Sequence, residues 1–261
     1  MSETCMSLRS VRNYNDVAAF RPFDRFDQPA PGASWLPLSF DAATGQGTYF
    51  LRLEPGGAPF AHDHDNLEEF LVLEGELIDE SANRYGEGDF VVFEPNAQHE
   101  SVSPDGAVLA VFMRGATRRI VAPELLSLTR PLIRNIHDSE HYVPFSRYGQ
   151  PAPNVTWYPL TMDDSTGVGS YFSSYNRTAT SVPHEHPGFE EFLIVEGEFV
   201  DYDGTVFRKG DFITYAPGSR HFSYAPDYAL LAVFMGALNR QLDAEESQPL
   251  KERFVRLQAH L

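Results

Sequence analysis

Apolar and polar residues alternate along this chain in short runs, bounded by Gly, Pro, Asn and Asp. In the first half the runs fall at Thr48–Leu53, Phe60–His64, Glu68–Glu76, Asp89–Phe93, His99–Ser101 and Val108–Arg114. They are rich in Val, Leu, Phe and Tyr, which fit a pleated, half-buried surface. Glu54–Gly57, Glu80–Gly88 and Ser103–Gly106 read as turns between them, and Asp203-Gly204 marks a tight turn in the second half. The fully apolar stretch Ala107–Met113 is too short to cross a bilayer and reads as a buried strand. Helix is scarce: Pro123–Ser127 and Asp243–Ser247 are the best candidates, and the tail KERFVRLQAHL favours a terminal helix. Short strands in such number predict an all-β sandwich or barrel.

The pattern then occurs twice. Arg12 to Arg118 aligns without a gap with Arg134 to Arg240, at a constant offset of 122 residues. PAPGASWLPL faces PAPNVTWYPL, so Trp35 matches Trp157, and Pro22-Phe23-x-Arg25 matches Pro144-Phe145-x-Arg147. The period is far too long for a solenoid, and each copy is long enough to bury its own core. The expected organisation is a first domain at 10–121, a second at 132–242 and a tail at 243–261. Ala122–Pro131 is the expected linker.

Within each copy the histidines are ordered. His62 and His64 are two apart, Glu68 follows four residues later, and His99 lies farther on. His184, His186, Glu190 and His221 repeat the spacing, so the two sets hold six of the nine histidines. In a strand, side chains at i and i+2 share a face. Each HxH therefore aims two imidazoles at one point, while a turn and the next strands bring in the carboxylate and the third imidazole. Three imidazoles and one carboxylate suit a divalent transition ion such as Fe, Zn, Mn or Ni, and leave positions open on an octahedral ion. Glu69 and Glu191 are the rival carboxylates, but strand alternation turns them to the opposite face. A lone HxH is weak; the same four residues at the same spacing in both halves are not.

These motifs resemble the cupin superfamily. Gly56, His62, His64, Glu68 and Gly75 fit its first motif, and the second half fits from His184 to Gly197, with Thr178 standing where Gly56 does. The second motif is altered. GDFVVFEPNAQH and GDFITYAPGSRH place Asn96 and Gly218 at its glycine position, and both residue types accept positive φ. Its closing Asn is replaced by Val102 and Tyr224. EEFLVLEGELIDE and EPNAQHES look most like the cupin domains of ChrR-type anti-sigma factors and of 2,4'-dihydroxyacetophenone dioxygenases. The resemblance implies two tandem double-stranded β-helix (jelly-roll) barrels, one metal in each, held by His62, His64, Glu68, His99 and by His184, His186, Glu190, His221.

Composition narrows the partners. A formal net charge of −17 repels phosphates and anionic lipids, so neither nucleic acid nor a membrane surface is expected. A small-molecule substrate is expected instead, and homo-oligomerisation stays open. Cys5 is the only cysteine, so no internal disulfide forms, and MSETCMSLRS has no apolar core of a signal peptide. A cytoplasmic protein is expected.

The resemblance implies a mononuclear non-haem metal dioxygenase acting on a small carbonyl or phenolic compound, with Fe as its metal. The alternatives are a redox-neutral metalloenzyme (isomerase, decarboxylase, lyase or cyclase) and a ChrR-like metal-binding regulator. Against the regulator, nothing in this sequence matches a helical anti-sigma domain with its own zinc ligands, so none is expected. Tyr49, Phe50, Phe60, Phe70 and Phe112, with Tyr171, Phe172, Phe192 and Phe234, are the candidate aromatic walls. Beyond the ligands, Arg52 is a candidate to steer a substrate carboxylate, and Glu68 or Glu190 a candidate base. His137 and His141, four apart, have no partner motif.

Overall fold

The computed structural model describes residues 8–26, 28–121, 130–147 and 152–258. The chain folds into two compact units. One is Asp16–Asp138; the other joins the chain up to Asn15 with the chain from Ser139.

In the first unit seven antiparallel strands lie in the order Leu132–Asn135, Asp89–Phe93, Glu68–Asp79, Ala107–Met113, Gly47–Leu53, Ala33–Pro37, Arg21–Pro22. The far half of Glu68–Asp79 also pairs with Arg84–Gly86 and Ser101–Val102. A three-stranded sheet of Thr117–Arg119, His62–His64 and Gln98–His99 completes the barrel. The second unit repeats this design around Glu190–Asp201, with Arg220–His221, His184–Glu185 and Arg240–Gln241 as its small sheet. These are two all-β jelly-roll barrels in one chain.

Alternation fills each barrel. Tyr49, Leu51 and Leu53 meet Phe70, Val72, Leu109, Val111 and Phe93 in one buried cluster, and Tyr171, Phe192, Ile194, Leu231, Val233 and Tyr215 form its counterpart. Ala107–Met113 is buried at every position, as its unbroken apolar run requires. Between Val108 and Leu109 the register against Glu68–Asp79 shifts at a bulge. Just past it, Gly75 (φ 75°) crosses so close to its neighbour that a Cβ would sit 2.0 Å from the Gly106 carbonyl oxygen. Only glycine fits there. Gly197 meets Tyr228 in the same way.

Two strands sit differently from the boundaries read off the repeat. Arg9–Asn13 precedes the first copy but pairs with Asp211–Tyr215, and Leu132–Asn135 precedes the second copy but pairs with Asp89–Phe93. Each edge is covered by the strand the spacing assigns to the other copy. Residues 84–86, read as part of a turn, form a strand because Tyr85 is apolar enough to bury completely while Arg84 reaches out to Glu76. The Asp243–Ser247 helix is longer than expected, Ala244–Gln258. Asp243 and Glu246 cap it reciprocally, each side chain accepting from the other's backbone N–H. Phe254 anchors it against Phe222 and Tyr224. The expected Pro123–Ser127 helix and most of the expected linker lie outside the described residues. No helix among the described residues is long and apolar enough to cross a membrane.

Candidate metal centres

The small sheet of each barrel carries the histidines. His62–His64 alternates buried, half-buried, buried, so both imidazoles point inward and Asp63 turns out to Arg118 at 2.9 and 3.0 Å. Glu185 does the same with Arg220 and Arg240. The third histidine arrives by strand register: His99 pairs with His62, and His221 with His184. The positive-φ residues anchor the end of each ligand strand. Asn96 (φ 66°) donates its N–H to the His64 carbonyl, and Gly218 (φ 84°) donates to His186. Glu68 and Glu190 open their long strands and face inward. Glu69 turns away to Arg114, and Glu191 to Thr214.

The second set is closed: one ligand-type atom each from His184, His186, Glu190 and His221 lies within 4.8 Å of the others. In the first barrel His62, Glu68 and His99 meet that distance, while His64 stands back. The rings of His62 and His64 are 6.2 Å apart, those of His184 and His186 4.8 Å. A third group, Asp138, Glu140 and His141, is half-buried to exposed.

The hydrogen bonds set the tautomers. A carbonyl oxygen only accepts, so Nδ1 of His62 donates to Phe60 (2.9 Å), of His64 to Asn66 (2.6 Å) and of His184 to Val182 (2.7 Å). Ser219 spends its proton on the Ala216 carbonyl, so it accepts from His186 Nδ1. Asp201 faces His221 Nδ1 at 3.4 Å. Nε2 of these five histidines is thereby directed into the cluster. His184 and His221 bring two such nitrogens to 3.0 Å, and His62 Nε2 lies 2.9 Å from a Glu68 oxygen. At 3.0 Å the two nitrogens can share one positive charge, a proton on His221 or a metal ion in its place. Nε2 of His64 is buried without a hydrogen bond, and Nε2 of His99 and His186 reaches only Glu68 at 3.5 Å and Glu190 at 3.4 Å, which is costly for buried polar atoms. The donor set and its orphaned nitrogens therefore fit a divalent transition ion.

The protonation behaviour agrees. Burial opposes charge on His221, yet Asp201 and Glu190 raise it to about 9. Burial likewise opposes Glu68 and Glu190, but the imidazoles hold both well below the usual carboxylate range. Burial and neighbouring imidazoles push His99 down to about 4. His186 also falls to about 4, burial outweighing Glu190. Each cluster keeps an anionic carboxylate that calls for a positive charge.

Each cluster opens on a small apolar cavity, of about 20 Å³ in the first barrel and about 30 Å³ in the second. Tyr49 and Phe70 line the first, Tyr171 and Phe192 the second. Phe50, Phe112, Phe172 and Phe234 point to the other side of their strands and line neither. Phe60 packs at the rim beneath Arg119, whose guanidinium lies 3.9 Å from its ring. Arg52 also lies on the outer side of its strand, over Phe20. The arginine that lines the first cavity is Arg25, which the repeated PF-x-R signature carried unread. Sequence reasoning also missed Asn239, which donates to Glu190, and Asp201.

Residues 18–117 and 139–239 each match the profile of the ChrR cupin-like domain. No curated protein matches the chain. Among solved structures, a candidate dioxygenase from Nostoc punctiforme superposes with a TM-score of 0.70 at 12% identity, covering 90% of this chain and 87% of that one. A glyoxylate-induced protein candidate from Pseudomonas aeruginosa gives 0.61 at 14% identity, covering 91% and 92%. Oxalate decarboxylase of Bacillus subtilis gives 0.54 at 17% identity, covering 96% and 84%. At these identities the likeness is one of fold.

Proposed function

This chain belongs to the family of ChrR cupin-like domains, and from that premise we propose that it is a cytoplasmic metalloenzyme with one divalent transition ion per barrel. The reaction we assign is dioxygenation of a small carbonyl or phenolic compound. His62, His64, Glu68 and His99 hold the first ion, and His184, His186, Glu190 and His221 the second. The observation that carries this reading is the closed set of His184, His186, Glu190 and His221, four buried side chains whose ligand-type atoms lie within 4.8 Å of one another around an anionic Glu190. The fold likeness to a candidate dioxygenase supports the reaction class.

When bound, the ion supplies Lewis acidity, a template for substrate and an electron path to O2. The residues do the rest. The backbone carbonyls of Phe60, Asn66 and Val182 lock the imidazoles in the ligating tautomer. The aromatic walls exclude water. The cavities hold little more than a water or two beyond the cluster, so they suit a small reacting group and not a whole aryl substrate.

A redox-neutral reaction on an oxo acid is the second reading. Arg25 in the first cavity favours it, because a guanidinium beside a metal pairs naturally with a carboxylate. Oxygen uptake separates the two. Iron-loaded protein should consume O2 with diketones or hydroxyaryl ketones. Turnover of an oxo acid without O2 uptake would replace the first reading with the second.

A further inference from the structure

We infer that the first barrel binds a planar carboxylate, an aryl acid, in an outer cavity beside its metal centre, with Arg25 as the anchor. Insofar as this ligand is the substrate, the inference rests on the proposed function; its binding does not.

The inner cavity is too small for a substrate body, but a second cavity of about 380 Å³ adjoins it, lined by Arg21, Arg25, Trp35, Phe40, Gly45 and Thr117 among others. That volume lies in the range of small-molecule sites. Arg25 lines both cavities, so the two share a wall. Thr117 pairs in register with His64, which brings the outer cavity up to the ligand strand.

The chemistry of the lining is specific. The Arg25 guanidinium lies 4.7 Å from the Phe40 ring, 5.6 Å from Tyr49 and 5.8 Å from Phe26. It donates to the Tyr49 hydroxyl at 3.1 Å and the Gly45 carbonyl at 3.5 Å. Neither acceptor is charged, and among the described residues no carboxylate pairs with Arg25. Arg21 lies 5.2 Å from the Trp35 ring, again without a carboxylate partner among the described residues. Asp24 also lines the cavity but pairs with neither. Trp35 is 4% exposed, and its Nε1 has no hydrogen-bond partner.

In a chain of net charge −17, two arginines that line one cavity are left, among the described residues, without carboxylates. Arg114, Arg118, Arg220 and Arg240 all have them. Guanidinium groups select a carboxylate or a phosphate. Trp35, Pro37 and Phe40 give the same cavity an apolar side, which suits a flat apolar body that inorganic phosphate lacks. An aryl carboxylate satisfies both. Anchored on the shared wall, it is held beside the small inner cavity.

The test is titration of metal-loaded, full-length protein with benzoate, by calorimetry and tryptophan emission, against benzamide and inorganic phosphate. Benzoate should saturate and change the emission, with benzamide at least about tenfold weaker and phosphate weaker still. Arg25→Gln should weaken benzoate by about tenfold or more, with partial recovery in Arg25→Lys, and Arg21→Gln by about threefold. Trp35→Phe should abolish the emission change while heat remains; Trp157→Phe should preserve both.

Equal binding of benzamide, or unchanged binding in both arginine variants, would overturn the inference. So would benzoate binding that is lost in His62→Ala but normal in Arg25→Gln, since that places the carboxylate on the ion. Metal content measured on each sample separates the outcomes. Two ions per chain without benzoate binding sinks the outer site alone; benzoate binding to protein that holds no metal sinks only the metal reading.

Discussion

In the first barrel His99 lies flat on Phe93, with ring centroids 3.9 Å apart. In the second barrel Tyr215 takes the place of Phe93, and its hydroxyl donates at 2.5 Å to Asp201, which faces His221 Nδ1. Asp201 also binds Arg9, carried in on the edge strand, and accepts from Ser223. The equivalent Asp79 is spent elsewhere: it accepts from Tyr85 and from Asn83, and does not meet His99. Asn239 adds a donor to Glu190, where the first barrel has Thr117. The same ligand types are thus held by a charged network in one barrel and by apolar stacking in the other. A carboxylate on the far nitrogen of a ligating imidazole orients the ring and raises its basicity. The second centre is built as the tighter one. The first has a looser His64 and Arg25 in its cavity wall.

The largest effect should come from the ligands. His184→Ala should weaken metal binding at the second site by more than about a hundredfold and leave the first site loaded, with His62→Ala doing the converse. Each set lies wholly within one unit, so the losses should be near-additive. One substitution that empties both sites would break the comparison.

Asp201→Asn should cost about ten- to a hundredfold in affinity at the second site, read by competition with a chelator. Asp79→Asn should leave first-site affinity within about threefold. Equal losses would mean that Asp201 does not distinguish the barrels. Arg9→Met, one bond farther from the ion, should cost about three- to tenfold at the second site only.

How much of this was legible follows from what the sequence period encodes. The offset of 122 gave the two barrels, and i, i+2 spacing gave the inward histidines. Alternation separated Glu68 from Glu69, and the altered second motif pointed to positive φ at Asn96 and Gly218. Thr178 adopts φ 61° where Gly56 has 77°, a strained conformation for a β-branched residue that the alignment alone could only flag. Arg25 escaped because it precedes the ligand strand in an irregular segment, where no period says which way a side chain faces. Arg52 was favoured instead, although it sits an odd number of residues from Tyr49 and so faces away from the cavity. The Arg9–Asp201 pair spans 192 residues and exists because the first strand edges the second barrel, a pairing that no local pattern contains.

The smallest effect is one of pH on metal-stripped protein. His221, raised to about 9, binds a proton more tightly folded than unfolded, so its stabilisation is full below pH 6.5 and is lost as pH rises through 9. His62, also raised, acts in the same direction. His99 and His186, lowered to about 4, act oppositely: their contribution is present above 6.5 and lost as pH falls toward 4. Stripped protein should be most stable near pH 6.5 and lose about 1–2 kcal/mol by pH 8 from His221 alone. Denaturant melts should show this alkaline loss shrink in His221→Asn and nearly vanish in metal-loaded protein, where the ion replaces the proton. An unchanged alkaline limb in His221→Asn would remove the charged network from the account.

The central claim is that each barrel holds one transition ion. Protein purified without chelator and reconstituted with Fe, Mn, Ni or Zn should carry two ions per chain by elemental analysis combined with native mass measurement, and one in either His99→Ala or His221→Ala. A chain that takes up no ion under any of these metals, while its circular dichroism remains that of a folded β-protein, would contradict it.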